Sequence, residues 1–352
     1  MKKIILLIII MLGNMMVFAQ TTTNKKEVKA LQSFLTQPSA DGRTNAQALE
    51  LILNDAGIWP GVTWTNGHVT AIEWKDKKLA GKLDVTALPE LAKLDVSRNK
   101  ITSLNAQGCA KLADLNASRN MLTFLDVNNC TALSKLTIYK NRLLDLNLVG
   151  TPWLSNLNCS NNLFVDLNVS NAANLVTLNC QGCHLESLEV NGCTALKNLY
   201  TGYNKLTNLN LVGVESLSSL NVDGNEISTM IISNLPSLFT LICSDNNMTS
   251  LGIRDCNALV DIVCSYNDLT TLSVQNCPNI QFVDCSYNDL TSLTLSNQTF
   301  LQRLLCNNNQ LTTLDVSFDS QLMYINCRYN QIFDLRTIGC NNLRMIACQW
   351  NY

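Results

Sequence analysis

The sequence predicts a repeat solenoid, mainly β, weakly curved, with parallel sheets on both faces and a small helical cap at its N-terminal end. Three observations predict it. From Leu91 onward the chain repeats every 21 residues without insertion or deletion. Each unit holds two short stretches in which apolar and polar residues alternate, the period of a half-buried strand. The ninth position of almost every unit is Asn.

The elements follow in chain order. Lys2 and Lys3, an apolar run over 4–12, and Val17-Phe18-Ala19 read as a secretory signal over 1–19, with Gln20 as the new N-terminus. The apolar run is too short for a mature membrane span, and no Cys follows the cut to carry a lipid. Residues 20–68 form the cap. Val28, Leu31 and Leu35, then Ala48, Leu49, Ile52 and Leu53, are spaced as on helices, and Pro38 and Asp41-Gly42 separate the two pieces. Residues 69–90 read as a degenerate first coil, one residue longer than the others.

Twelve full units occupy 91–342 and a truncated thirteenth occupies 343–352. In the unit that starts at Leu259, apolar residues stand at positions 1, 4, 6, 11, 14, 16 and 19: Leu259, Ile262, Cys264, Leu269, Leu272, Val274 and Cys277. No unit buries its apolar face alone, so neighbours stack and share one core. Two strand-forming halves of similar length leave no outer helix to force a horseshoe, hence the weak curvature.

Position 9 is filled by Asn99, Asn120, Asn141, Asn162, Asn204, Asn225, Asn246, Asn267, Asn288, Asn309, Asn330 and Asn351. A buried Asn in a turn is costly unless its amide is satisfied, and stacking in register offers it backbone groups of its own and the adjacent coil. The ladder is therefore structural. Nothing acidic or imidazole-like repeats beside it, so it is no metal or catalytic array.

The segment L-x-x-L-x-C-x-x-N-x-L, followed by L-x-x-L-D-V-x-x-C, resembles the short leucine-rich repeat of bacterial secreted proteins, in which both halves form strands. The resemblance recurs in register over about three quarters of the chain. It implies a solenoid with a parallel sheet on one face, protein or glycan binding on that face, and no chemistry. In the cap, Trp59-Pro60-Gly61-Val62-Thr63-Trp64, then Val69 to Trp74 and Leu79 to Leu83, resembles the N-terminal cap of plant-receptor-type leucine-rich repeats. That cap usually holds a Cys pair. Here no Cys precedes Cys109 and Trp64 stands where one is expected, so packing should hold the cap.

Fifteen Cys in an exported chain would ordinarily suggest disulfides. The register argues otherwise. Eight sit at position 6 and six at position 19, where other units carry Val, Ala, Ile, Thr or Leu, as in Val96, Ala117 and Leu235. Cys behaves here as a small buried hydrophobe. Coils about 4.8 Å apart hold parallel Cβ atoms beyond disulfide reach. Cys180-Gln-Gly-Cys183 is the one CxxC, with only His184 nearby, which falls short of a zinc site. With two His in all, His68 and His184, no nucleophile–base or acid–base constellation forms, and no enzyme, cofactor or metal is expected.

The freely varying positions are 3, 5, 7 and 8, read as the outward face of the first sheet. Arg98, Arg119 and Lys140 make that face basic at its N-terminal end; Tyr203, Tyr266, Phe282, Tyr287, Tyr324 and Tyr329 make it aromatic toward the C-terminal end. Tyr and Trp are favoured interface anchors, so these residues are the candidate binding site, expected to form one patch. Charged residues are 15% of the chain, and the formal −2 less the +2 of Lys2 and Lys3 leaves −4 after cleavage. That excludes nucleic acid as partner. No transmembrane segment remains once the signal is removed. The expected function is a secreted or cell-surface binding or adhesion module for a protein or glycan, exported to the cell surface or medium, with the periplasm as the other destination. The competing reading is a structural or targeting scaffold that has lost its effector or anchoring domain. The strand pattern of 343–352 has no following coil in the sequence, which predicts end-to-end self-association or fraying there.

Overall fold

The computed structural model describes residues 23–295 and 298–352. The expected secretory signal lies outside the described residues.

The cap begins with helix α1, Lys25–Leu35, N-capped by Asn24, whose side chain accepts from the Lys26 N–H at 3.0 Å. Its inward face buries Leu31, Phe34 and Leu35 together with the carboxylate of Glu27. That carboxylate is satisfied: it accepts from the Val69 N–H at 2.7 Å and meets His68 Nδ1 at 2.6 Å. Helix α2, Asn45–Ala48, is a single turn with a Thr44–Gln47 capping box. The helical spacing read through Leu53 is cut short because Glu50 turns left-handed at φ 58°. Packing holds the remainder. Trp59 and Trp74 are buried, their indole N–H groups donate to Ile52 and Pro60 carbonyls, and Trp74 stacks on Phe34.

Strands β1, Val62–Thr65, and β2, His68–Glu73, form an antiparallel hairpin. At the bend before β1, Gly61 has φ 75°, and a Cβ there would lie 2.5 Å from the Glu73 carbonyl oxygen, so only glycine admits the hairpin. Strand β2 then pairs in parallel with Lys93–Asp95. The cap thus supplies the terminal strand that covers the N-terminal edge of the sheet.

Beyond the hairpin, positions 3–5 of every coil form a three-residue strand, and these strands join β1 and β2 in one sheet of fifteen strands among the described residues. Register is exact by one coil: Leu94 pairs with Leu115, Leu178 with Leu199, Ile262 with Val283. The apolar positions of all coils form one continuous core.

Two corners close each coil, and both are left-handed. At position 18 the residue is mostly Gly, Asn or Asp, as in Gly108, Asn129 and Asp255, the types that tolerate this region. At position 8 all thirteen residues from Arg98 to Trp350 have φ between 53° and 65°, and most are bulky. Next to that corner runs the Asn ladder. Asn141 is representative: its oxygen accepts from the Leu122 N–H of the preceding coil at 3.0 Å, and its NH2 donates to Ala117 and Ile138 carbonyls at 3.0 and 2.9 Å. Every rung from Asn99 to Asn351 repeats this bridge between coils.

The second halves behave differently from the uniform expectation. Their strands fall into separate parallel sheets of three, two, three and two strands. Among the described residues the coils starting at Leu133, Leu196 and Ile280 contribute none. Position 16 explains the pattern. In the ten strand-forming coils it is Val85, Ala106, Val127, Val169, Val190, Ile232, Ile253, Val274, Val316 or Thr337; in the three breaks it is Leu148, Leu211 and Leu295. β-branched side chains suit a pleated, half-buried surface, whereas the longer, γ-branched Leu is the residue shared by the three breaks. Leu148 and Leu211 stay half-buried where Val127 and Val190 are buried, whereas Leu295 at the third break is buried. Depressions of about 890, 340 and 350 Å3 lie at the three breaks. Among the described residues the coils carry no helix, and none is long and apolar enough to cross a membrane.

Candidate binding surface

The strand at positions 3–5 presents its odd positions outward, and the chain then reaches the left-handed corner at position 8. Of the four positions read as outward, position 7 turns inward in several coils where it is Ser, while Tyr139, Gln181, Asn307 and Arg328 stay partly exposed there. Ser97, Ser118, Ser160, Ser265 and Ser286 are buried there. The physical reason is a turn closed by position 5. Its Asp or Asn side chain accepts from the position-7 N–H, as Asp95 does from Ser97 at 2.9 Å and Asp284 from Ser286 at 3.0 Å. Position 8 in turn lies beyond the strand, on the rim of the sheet.

The candidate residues therefore divide into two rows. Tyr203, Tyr266, Tyr287 and Tyr329 project from the rim, with Trp350 below them; all five are exposed, from 44% for Tyr287 to 70% for Trp350. Tyr266 and Tyr287 stack at 4.4 Å, and Tyr329 and Trp350 at 5.8 Å. Phe282 and Tyr324 stand on the sheet itself. They flank Arg303, whose guanidinium lies 5.2 Å from the Phe282 ring and 5.9 Å from the Tyr324 ring. The candidates thus stand in two rows, a stacked rim at position 8 and an aromatic–cation–aromatic row at position 3.

Sequence reasoning missed what lies between them. Position 5 is Asp or Asn in most early coils but becomes Ile242, Val263 and Leu305 later. These three are partly exposed strand residues that cannot close the polar turn. Ser244 and Ser265 instead share a hydroxyl hydrogen bond at 3.0 Å. Ile242 and Val263 floor a depression of about 370 Å3 walled by Asp261, Phe282 and Arg303. Burial shifts the Asp261 carboxyl upward. The departure from Asx at position 5 was the available signal.

At the other end, Arg98, Arg119 and Lys140 occupy the rim corners of three consecutive coils, all exposed. Arg119 donates to the Tyr139 hydroxyl at 3.2 Å and lies 5.6 Å from its ring.

All fifteen cysteines are free thiols, thirteen of them buried. Burial pushes Cys180, Cys243 and Cys285 up to about 12, which suppresses the thiolate. Cys180 and Cys183 of the CxxC are both buried, while His184 is exposed at φ 68°. Cys183 replaces the ladder Asn and donates its S–H to the Cys159 carbonyl at 3.2 Å. No group of three or more metal-ligating side chains converges among the described residues.

No protein-family model and no curated protein matches the chain. Solved structures do. The functional domain of InlJ from Listeria monocytogenes, described as including a cysteine ladder, is 28% identical with a TM-score of 0.58 over 78% of this chain. YopM, a leucine-rich effector protein from Yersinia pestis, is 22% identical with a TM-score of 0.59, the match covering 80% of this chain and 83% of that one. A leucine-rich-repeat protein of Leptospira interrogans is 18% identical with a TM-score of 0.54, covering 83% and 82%. The chain spans 54% of the InlJ structure and 64% of YopM from Yersinia enterocolitica. Shared coil period, parallel sheet and cross-coil register identify the chain as a leucine-rich-repeat solenoid of the kind found in bacterial proteins.

Proposed function

We propose that the chain is an exported binding module that holds a protein partner on its first sheet, over the coils from Leu238 to Leu322. The observation that carries this reading is the change at position 5. Ile242 and Val263 give up the polar turn of the earlier coils and floor the depression beside Phe282 and Arg303, and Leu305, two coils on from Val263, leaves a further apolar side chain partly exposed. An apolar floor with aromatic and Arg walls is the composition of an interface core. The rim aromatics favour a protein over a glycan. With Tyr266 and Tyr287 face to face, each ring gives one face to its neighbour and offers ring edges and hydroxyls rather than platforms for sugar rings.

Export rests on the basic, apolar and small residues of 1–19, and surface display or release for adhesion rests in turn on export. N-terminal sequencing of protein recovered outside the cell tests it, with Gln20 as the expected first residue.

The binding face is tested by a photo-crosslinking side chain placed at Phe282, and in a second variant at Phe333 on the opposite half of the coil. A discrete protein adduct from Phe282 alone is expected. Its loss when Tyr324→Ala and Val263→Asp are added ties the adduct to the apolar floor. Equal labelling from both sites refutes a dedicated face.

A further inference from the structure

The N-terminal end of the rim carries charge that the fold leaves unneutralised. Neighbouring cations are paired across coils: Lys93 with Glu73, Lys111 with Glu90, and Lys135 with Asp114 at 3.8 Å. Each acid sits on the preceding coil, so pairing is the local habit. Arg98, Lys100, Arg119 and Lys140 have no carboxylate within ion-pair distance among the described residues. Like charges held side by side on successive coils repel, and bulky side chains at left-handed corners add strain. Both costs fall on the same three residues, Arg98, Arg119 and Lys140. Beside them lies a depression of about 340 Å3 lined by Lys78, Arg98, Lys100 and Arg119, with Asp76 the one carboxylate. Lys78 approaches Asp41 at 3.9 Å, whereas Asp76 makes no ion pair. Tyr139, whose hydroxyl accepts from Arg119, is shifted to a lower pKa by that bond, with smaller contributions from the charges of Arg119 and Arg98.

We propose that this depression and the Arg98–Arg119–Lys140 column bind a sulfated polysaccharide chain lying along the solenoid axis. The cations recur once per coil, about 4.8 Å apart, close to the rise of one sugar unit along an extended chain. An extended acidic peptide places same-side carboxylates every second residue, roughly 6.6 Å apart, out of step with the coils. Guanidinium forks from successive coils match oxyanions that offer several acceptor oxygens in one plane or tetrahedron. The site is separate from the apolar floor near Phe282, so it stands or falls independently of the protein-binding reading.

The test is titration calorimetry of the full chain with dextran sulfate, uncharged dextran and poly-glutamate. Dextran sulfate should bind with affinity that falls as salt rises, because bound cations release counterions. The triple variant Arg98→Ala, Arg119→Ala, Lys140→Ala should weaken it by about 10-fold or more and flatten the salt dependence. A control variant, Lys93→Ala, Lys111→Ala, Lys135→Ala, removes the same net charge from paired positions and should bind as the parent does. Thermal melts of both variants verify folding. Tyr266→Ala with Phe282→Ala should leave dextran sulfate binding unchanged, which separates this site from the apolar one. The proposal is overturned if dextran sulfate does not bind, if the control weakens binding as much as the column variant, or if poly-glutamate binds equally well.

Discussion

The rings of Tyr266 and Tyr287 stack 4.4 Å apart and 8° from parallel, although both residues hold a left-handed backbone at φ 55°. The stack offsets part of the strain of that corner. At Lys140, which shares the conformation but whose ammonium has no hydrogen-bond or ion-pair partner among the described residues, nothing offsets it. Asn161 and Asn308 occupy the same corner in other coils. Lys140→Asn should therefore raise unfolding free energy by about 1 kcal/mol. Tyr266→Asn should change it by less than about 0.5 kcal/mol, since relief of strain and loss of the stack nearly cancel. Denaturant melts distinguish the two, and equal effects would refute the offset.

Leucine at position 16 is the expected cause of the breaks in the second half of the solenoid. Leu148→Val should let 145–147 pair with its neighbours, and Leu211→Val should do the same for 208–210. Hydrogen exchange should slow in those segments and in the flanking strands Phe124–Asp126 and Asp166–Asn168. The reverse change, Val169→Leu, should speed exchange locally. Unchanged exchange in all three variants would show that side-chain branching does not set the pattern.

Cys183 interrupts the Asn ladder. In the coil before each Asn, a position-11 N–H is accepted by the amide oxygen, as Leu143 is by Asn162 at 3.1 Å. Phe164 is the corresponding residue before Cys183, and no amide oxygen faces its N–H. Cys183→Asn should restore the bond and stabilise the chain by about 1 kcal/mol, provided Phe164 keeps its place in the core. A lower melting temperature would mean that the sulfur fills space the amide cannot.

Asp319 is buried at position 19, where most coils hold Cys or a small apolar residue. Burial raises its carboxyl to about 7, helped by the nearby Asp315 charge. A carboxyl raised above its unfolded value makes the native chain bind more protons than the unfolded one, so stability declines as pH rises from about 4 toward 7 and then levels off. Asp319→Asn should flatten that decline and raise the melting temperature at pH 8 more than at pH 4. Parallel pH profiles for parent and variant would place the ionisation elsewhere.

The period, the two strand-forming halves, the core positions and the Asn rungs were all legible in the sequence, because each is a repeated local rule that stacking in register enforces. Single departures from the rule were harder to read. Leu and Val are both simply apolar in a binary pattern, so Leu148, Leu211 and Leu295 gave no warning of the breaks. The buried serines at position 7 were misjudged because strand alternation was carried past Asp95, where the side chain closes a turn and draws Ser97 inward. The aromatic residues were visible, yet Tyr266 and Phe282 fall on different surfaces because a corner lies between their positions. Ile242, Val263 and Leu305 escaped notice for the opposite reason, since apolar residues in a strand look like core until their direction is known.

The first sheet is hydrogen-bonded without interruption, whereas the second is divided at Leu148, Leu211 and Leu295. Such a body has an inextensible side and a jointed side. Bending should therefore leave the pitch of the first sheet unchanged while the joints open or close. Leucine and valine codons can differ by one base, which puts the gain or loss of a joint one point mutation away.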